Sequence, residues 1–195
     1  MSLRERLGGF PMLETQRLRL REVRPVEDAP THCLLWSDAE VLAFTPDPPG
    51  VSREDSAVSL QRVARWFLGP REGIGWAITL KGDDRYIGGI GFYELFGHGL
   101  QIGEVSFALL REHWSKGLAT EALREVVKFG FTNLQLQRIQ LMTHPQHQAA
   151  MRVALKAGFQ EEGILRQHVY NERTGGWEDQ RMFSIVRGEW EPAGE

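Results

Sequence analysis

The chain has 195 residues, 42% hydrophobic and 25% charged, a size and composition at which one compact domain buries a sizeable core. Its 23 basic and 26 acidic residues leave a formal net charge of -3, so no global field gathers nucleic acid or an anionic membrane, and any anion must be held by a local site. The single cysteine, Cys33, excludes an internal disulfide framework and a multi-cysteine zinc site, and no apolar run approaches the roughly 20 residues that span a bilayer.

The expected protein is therefore soluble and cytoplasmic, with Cys33 a small apolar residue on a helix. Residues 1–12 match no recognisable pattern and read as an N-terminal extension, 13–190 as a single domain, and 191–195 as a C-terminal tail. Arg17-Leu18-Arg19-Leu20-Arg21 alternates strictly, which predicts a strand with one buried and one solvated face. Pro25 stands where a helix can begin, and Pro25 to Ser37 and Arg53 to Leu68 both read as helical. The intervening Thr45-Pro46-Asp47-Pro48-Pro49-Gly50 can continue neither helix and is read as a loop. The strand-like runs Trp76 to Leu80, Tyr86 to Tyr93 and Gln101 to Leu109, separated by Gly82-Asp83-Asp84 and Gly97-His98-Gly99, predict an antiparallel meander.

From Gly117 to Phe131, Leu118, Ala119, Ala122, Leu123, Val126 and Val127 recur at helical spacing, with Glu121, Arg124, Glu125 and Lys128 opposite. Arg138 to Thr143 reads as a short strand and His147 to Ala157 as an amphipathic helix closed by Gly158. Phe159 and Phe183 fall in two last strand-like stretches flanking Gly175-Gly176. The alternation of strands and helices after residue 100 implies a parallel strand pair at the sheet centre, joined by a right-handed crossover. No internal repeat or low-complexity segment interrupts the pattern.

Trp114-Ser115-Lys116-Gly117-Leu118-Ala119-Thr120-Glu121 lies between a predicted strand and the clearest helix. The first turn of a helix carries unpaired N–H groups and the positive end of the macrodipole, which suit phosphate. Gly117 and Ala119 leave backbone accessible to an anion, and Lys116 adds a positive charge. On these residues alone a helix start with no ligand is an equal reading, since the segment is not a Walker sequence.

The segment resembles the pyrophosphate signature of the GNAT superfamily of N-acetyltransferases: Arg or Gln, two variable residues, Gly, one variable residue, then Gly or Ala. Here it reads Trp114-x-x-Gly117-x-Ala119, and the opening tryptophan is similar to the branch that acetylates ribosomal-protein N-termini. A second block, His144-Pro145-Gln146-His147-Gln148-Ala149-Ala150-Met151-Arg152-Val153 followed by Lys156-Ala157-Gly158-Phe159 and Glu162-Gly163, resembles the family's helix and strand beyond. His147 stands where the family has Asn, and Ala150 where it has Ser. Leu13-Glu14-Thr15-Gln16-Arg17-Leu18-Arg19-Leu20 and Trp177-Glu178-Asp179-Gln180 extend the likeness over about residues 13 to 190. The resemblance implies an α/β fold with a mixed, mostly antiparallel central sheet, a parallel pair at its centre and about four flanking helices. It further implies acetyl-CoA as cosubstrate, held by Trp114, Ser115, Lys116, Gly117, Leu118, Ala119 and Thr120, and His147 and Lys156 are expected among its contacts. A homodimer is the family's habit, and the antiparallel edges allow it.

Acetyl transfer needs a neutral amine, a donor for the oxyanion and a leaving group. A model α-amine has a pKa of about 8 and a lysine of about 10.4, so a base matters most for lysine-like acceptors. In the strand Gln101 to Leu109, Val105, Phe107 and Leu109 share one face and Glu104 and Ser106 the other. Glu104 is the candidate base, or else a glutamate on a solvated face. By resemblance, the backbone at Phe107 and Leu109 meets the pantetheine amides and polarises the thioester carbonyl. The leaving thiol has a pKa of about 8.5, so a general acid helps. Tyr170 and His147 are the candidates, their other readings being packing on the C-terminal sheet and capping of a helix.

Among six histidines, His144 and His147 have no third ligand at a zinc-like spacing, and no metal is expected. Six tryptophans, among them Trp36, Trp66, Trp76 and Trp177, read as core or as walls of an acceptor pocket. Arg152 and Lys156, four apart on one helical face, either meet the adenosine phosphates or solvate the surface. The acceptor amine is a protein N-terminus or a small amine such as a polyamine, amino acid or antibiotic. A non-catalytic acyl-CoA-binding module is the reading of another class.

Overall fold

A computed structural model describes residues 3–46, 52–67, 73–96 and 101–191. The expected loop residues 47–50 and 97–99, and Leu68 at the expected end of the second helix, lie outside these residues. Among the described residues no helix is long and apolar enough to cross a membrane.

One sheet of eight strands organises the described residues, in the order β1-β2-β3-β4-β5-β6-β8-β7. The strands are β1 Leu13–Glu14, β2 Leu18–Glu22, β3 Ile74–Leu80, β4 Asp83–Phe96, β5 Ile102–Leu109, β6 Arg138–Thr143, β7 Gln160–Asn171 and β8 Gly176–Val186. Every neighbouring pair is antiparallel except β5 and β6, which run parallel as the strand-helix order requires. Among the described residues five α-helices accompany the sheet: α1 Leu3–Leu7, α2 Pro25–Leu35, α3 Arg53–Trp66, α4 Leu118–Thr132 and α5 Gln148–Lys156.

The helix-forming logic is local. Pro25 occupies the first turn of α2, where its missing N–H costs nothing, and α2 stops at Leu35, two residues short of the expected Ser37. Ser52 and Asp55 form a reciprocal capping box at the start of α3. Gly117 precedes α4 in a left-handed conformation, φ 77°. The α4 face Leu118, Ala122, Leu123, Val126 and Val127 is buried with Val105, Leu109, Ile139 and Leu141 of β5 and β6. Each large apolar side chain so buried contributes about 1.5–3 kcal/mol of transfer free energy. On the opposite face, α2 and α3 pack over small residues: a Cβ at Gly75 would collide with Val63 of α3.

Two expectations are corrected. Arg21 belongs to the face of β2 expected to be solvated, yet it is 4% exposed. Its guanidinium pairs with both carboxylate oxygens of Asp28 and with Asp84, joining β2 to α2 and the β3–β4 hairpin. The alternation of arginines along β2 could not reveal that two distant acids compensate one of them. Phe159 precedes β7 rather than lying in it. The N-terminal residues form a helix, α1, whose Leu3 is 1% exposed in the core. There Phe10 meets Phe67 and Trp76 edge-on, and the Trp76 indole donates to the Pro11 carbonyl at 2.7 Å.

Candidate active site

The parallel strands part. Pairing of β5 with β6 is confined to Ile102↔Arg138, Gly103↔Ile139 and Glu104↔Gln140. Beyond that point Val105 to Leu109 pair with β4 alone, and Leu141 to Thr143 with β8 alone. A wedge therefore opens in the middle of the sheet. The Leu110 N–H donates to Ile87 of β4, and the Gln101 carbonyl accepts from the β6 side. Because backbone polar groups alternate between the edges of a strand, Val105, Phe107 and Leu109 turn theirs into the wedge. Such an edge can pair with the amides of an extended ligand.

At the mouth of the wedge the chain turns through Trp114 to Gly117, with left-handed φ at both Ser115 (59°) and Gly117 (77°). The Trp114 indole donates to the Leu109 carbonyl at 2.7 Å, so the residue that opens the turn is a brace rather than a charged ligand. No side chain caps α4. The first intrahelical bond runs from the Glu121 N–H to the Gly117 carbonyl, which leaves the N–H groups of Leu118, Ala119 and Thr120 for an anion. Ser115, Lys116 and Gly117 are exposed beside them.

Across the mouth, His147 precedes α5 but makes no side-chain cap, so the capping alternative does not describe it. Its Nδ1 lies 3.2 Å from the Thr143 hydroxyl. Phe44, in a short 3-10 turn Leu42–Phe44, stacks on His147 with centroids 4.8 Å apart and on His144 at 5.4 Å. Burial, and then the neighbouring His144, hold the His147 pKa below its ordinary value. His144 accepts the Gln146 N–H at Nδ1, and its Nε2 lies 4.0 Å from Glu178. Trp114, Phe44, His147, Gln148, Ala149 and Glu40 share a pocket of about 260 Å³.

Glu104 sits at the vertex of the wedge, where its carboxylate accepts from the Gln140 amide at 3.0 Å. A polar ladder continues along that face through Arg138, Ser184 and Glu162. Hydrogen bonds from Arg138 and Ser184 outweigh burial and hold the Glu162 carboxyl down at about 2.

The structure thus brings Trp114 and His147 to one pocket and aims Phe107 and Leu109 at the wedge. It does not bring Tyr170 there. Tyr170 pairs across the hairpin with Trp177, while the alternate position Glu178 points to His144. Successive side chains face opposite ways, so Tyr170 projects from the other face, 48% exposed and edge-on to Trp177. Lys156 ends α5 with its carbonyl held by Arg124 at 2.6 Å and its side chain in solvent. Among the described residues no group of three or more His, Cys, Asp or Glu could hold a metal ion.

Sequence reasoning missed Phe44, because an aromatic beside a proline-rich loop carries no periodicity. It also gave Gln140 no role, although its place opposite Glu104 follows once the parallel pairing is known.

Residues 17–160 match the Acetyltransferase (GNAT) domain family. The N-acetyltransferase YoaA of Bacillus subtilis, itself uncharacterised, is 35% identical over 178 residues, covering 91% of this chain and 98% of that protein. Among solved structures, RimJ of Mycobacterium smegmatis in complex with CoA-disulfide superposes with a TM-score of 0.77 at 21% identity, over 88% of this chain and 83% of that one. A ribosomal-protein-S5-alanine acetyltransferase of Vibrio fischeri does so with a TM-score of 0.75 at 21% identity, over 93% and 100%. At that identity the likeness of the structures shows a shared fold.

Proposed function

From the membership of this chain in the GNAT family of acetyltransferases, we propose that it moves the acetyl group of acetyl-CoA to the α-amine at a protein N-terminus. The observation that carries the cosubstrate is the uncapped first turn of α4 beside the open edge of β5. The residues present fit it. Leu118, Ala119 and Thr120 offer N–H groups to a pyrophosphate, with Ser115, Lys116 and Gly117 leaving the approach clear. Val105 and Phe107 offer an edge to the amides of a pantetheine arm.

When bound, acetyl-CoA supplies the activated acetyl group. The chain supplies orientation and proton handling. A Phe107 or Leu109 N–H pointing into the wedge is already placed to polarise a carbonyl there. Glu104, held by Gln140, takes the proton of the incoming ammonium, directly or through water. For an α-amine with a pKa of about 8 this is a modest demand. His147, its pKa held low by burial, offers the departing thiolate a hydrogen bond rather than a proton, from Nε2 in the tautomer whose Nδ1 accepts from the Thr143 hydroxyl. Tyr170, on the far face, has no part in this reading.

A protein N-terminus as acceptor is supported by the named activity of the Vibrio fischeri neighbour. Thiol release from acetyl-CoA, measured against N-terminal peptides and a panel of small amines, tests it. Turnover on peptides is expected. Turnover confined to polyamines, amino acids or antibiotics would contradict the acceptor, and binding without turnover on any amine would contradict catalysis.

A further inference from the structure

The phosphate turn is held from outside by the short connection between β1 and β2, far earlier in the chain. Glu121, in the first turn of α4, accepts the Thr15 hydroxyl at 2.5 Å and the Arg17 backbone N–H at 2.8 Å on one oxygen. Its other oxygen takes Arg17 Nε at 2.7 Å and Nη2 at 2.6 Å. The remaining nitrogen, Nη1, donates to the Lys116 carbonyl at 2.9 Å, inside the turn itself. The Arg17 guanidinium comes so close that a Cβ on Gly117 would lie 3.5 Å from Nη2. Partial burial alone would push the Glu121 pKa up, yet the Thr15 and Arg17 hydrogen bonds hold it below the usual carboxylate value.

Two consequences follow from charge and geometry. A carboxylate in the first turn of a helix competes with a phosphate for the same positive end of the dipole. Glu121 is such a carboxylate, and the Arg17 cation neutralises it. The planar guanidinium also does what a lysine cannot, bridging the carboxylate with one edge while bonding a carbonyl with the other. We propose that Arg17, anchored on Glu121 and Thr15, is a positioning residue that shapes the phosphate turn and cancels the Glu121 charge for the pyrophosphate of acetyl-CoA. This rests on the acetyl-CoA reading above.

The test is acetyl-CoA affinity by isothermal titration of the purified chain and its variants. Wild-type affinity checks the cosubstrate reading by itself: without binding there, that reading fails before the variants are compared. Given wild-type binding, Arg17→Ala should raise the Kd by about tenfold, because the turn loses its brace and faces a bare Glu121. The double variant R17A/E121Q should recover part of that loss, to within about threefold of wild type, since only the brace is missing. The Arg17 side chain is 46% exposed, so its removal leaves no core cavity. Should Arg17→Ala nevertheless fail to fold, Arg17→Lys retains the charge and loses the bond to Lys116; a Kd raised severalfold is then expected. Acetyl-pantetheine, a donor without phosphates, gives the second readout: kcat/KM should fall with acetyl-CoA and stay near wild type with acetyl-pantetheine. A Kd within twofold of wild type for Arg17→Ala or the folded Arg17→Lys, a double variant as weak as Arg17→Ala, or equal losses with both donors would overturn the proposal.

Discussion

The Trp114 indole and the Leu109 carbonyl meet at 2.7 Å, tying the phosphate turn to the last residue of the open strand β5. This hydrogen bond adds to the apolar packing of Leu118 with Val105 and Leu109 in holding the edge of β5 and the N-terminus of α4 against each other. Trp114→Phe keeps the ring and removes the donor. We expect a loss of about 1 kcal/mol, seen as a melting temperature lower by about 2–4 °C. Acetyl-CoA affinity should fall severalfold in parallel. A variant that melts and binds like wild type would show that the turn holds its place without this bond.

Glu104 is expected to act on the acceptor rather than on the cosubstrate. Glu104→Gln should leave acetyl-CoA affinity near wild type while lowering turnover, and more so at low pH, where fewer amines are already neutral. A pH–rate profile of wild type and variant decides this. Parallel profiles, or an unchanged rate at every pH, would remove Glu104 from proton transfer.

His32 carries a prediction about stability. It is 8% exposed between Trp36 and Tyr86, and burial, opposed by the Asp28 charge, pushes its pKa from 6.5 down to about 4. The folded state therefore binds fewer protons than the unfolded one below pH 6.5. The stability gained by keeping His32 neutral is present above that pH and is lost as pH falls towards about 4. Between pH 7 and pH 5 the loss should be about 2 kcal/mol. Urea unfolding at both pH values measures it, and His32→Leu should flatten the difference by that amount. An equal pH dependence in the variant would place the titration elsewhere.

The parts of this fold that sequence made legible are those whose signals are local. The apolar spacing of α4 and the short run Arg138–Thr143 locate both elements to within a residue or two, and a glycine followed by an amphipathic helix marks the turn. What escaped depends on partners far along the chain. Arg21 looks solvated until Asp28 and Asp84 fold against it. Tyr170 looks available until the hairpin register turns it away from His144. Phe44 gains meaning only by stacking on His147, and Thr15 and Arg17 only by reaching Glu121. Periodicity reports which way a side chain leaves its own element, not what it meets.

Isothermal titration of wild type and Gly117→Glu with acetyl-CoA tests whether the first turn of α4 holds its phosphates. Gly117 is exposed, so the substitution places bulk and negative charge at the turn and, at φ 77°, strains the turn itself while leaving the core untouched. We expect acetyl-CoA binding by wild type and none by the variant, with both folded by circular dichroism. Equal affinity in the folded variant, or no binding by wild type, would contradict it.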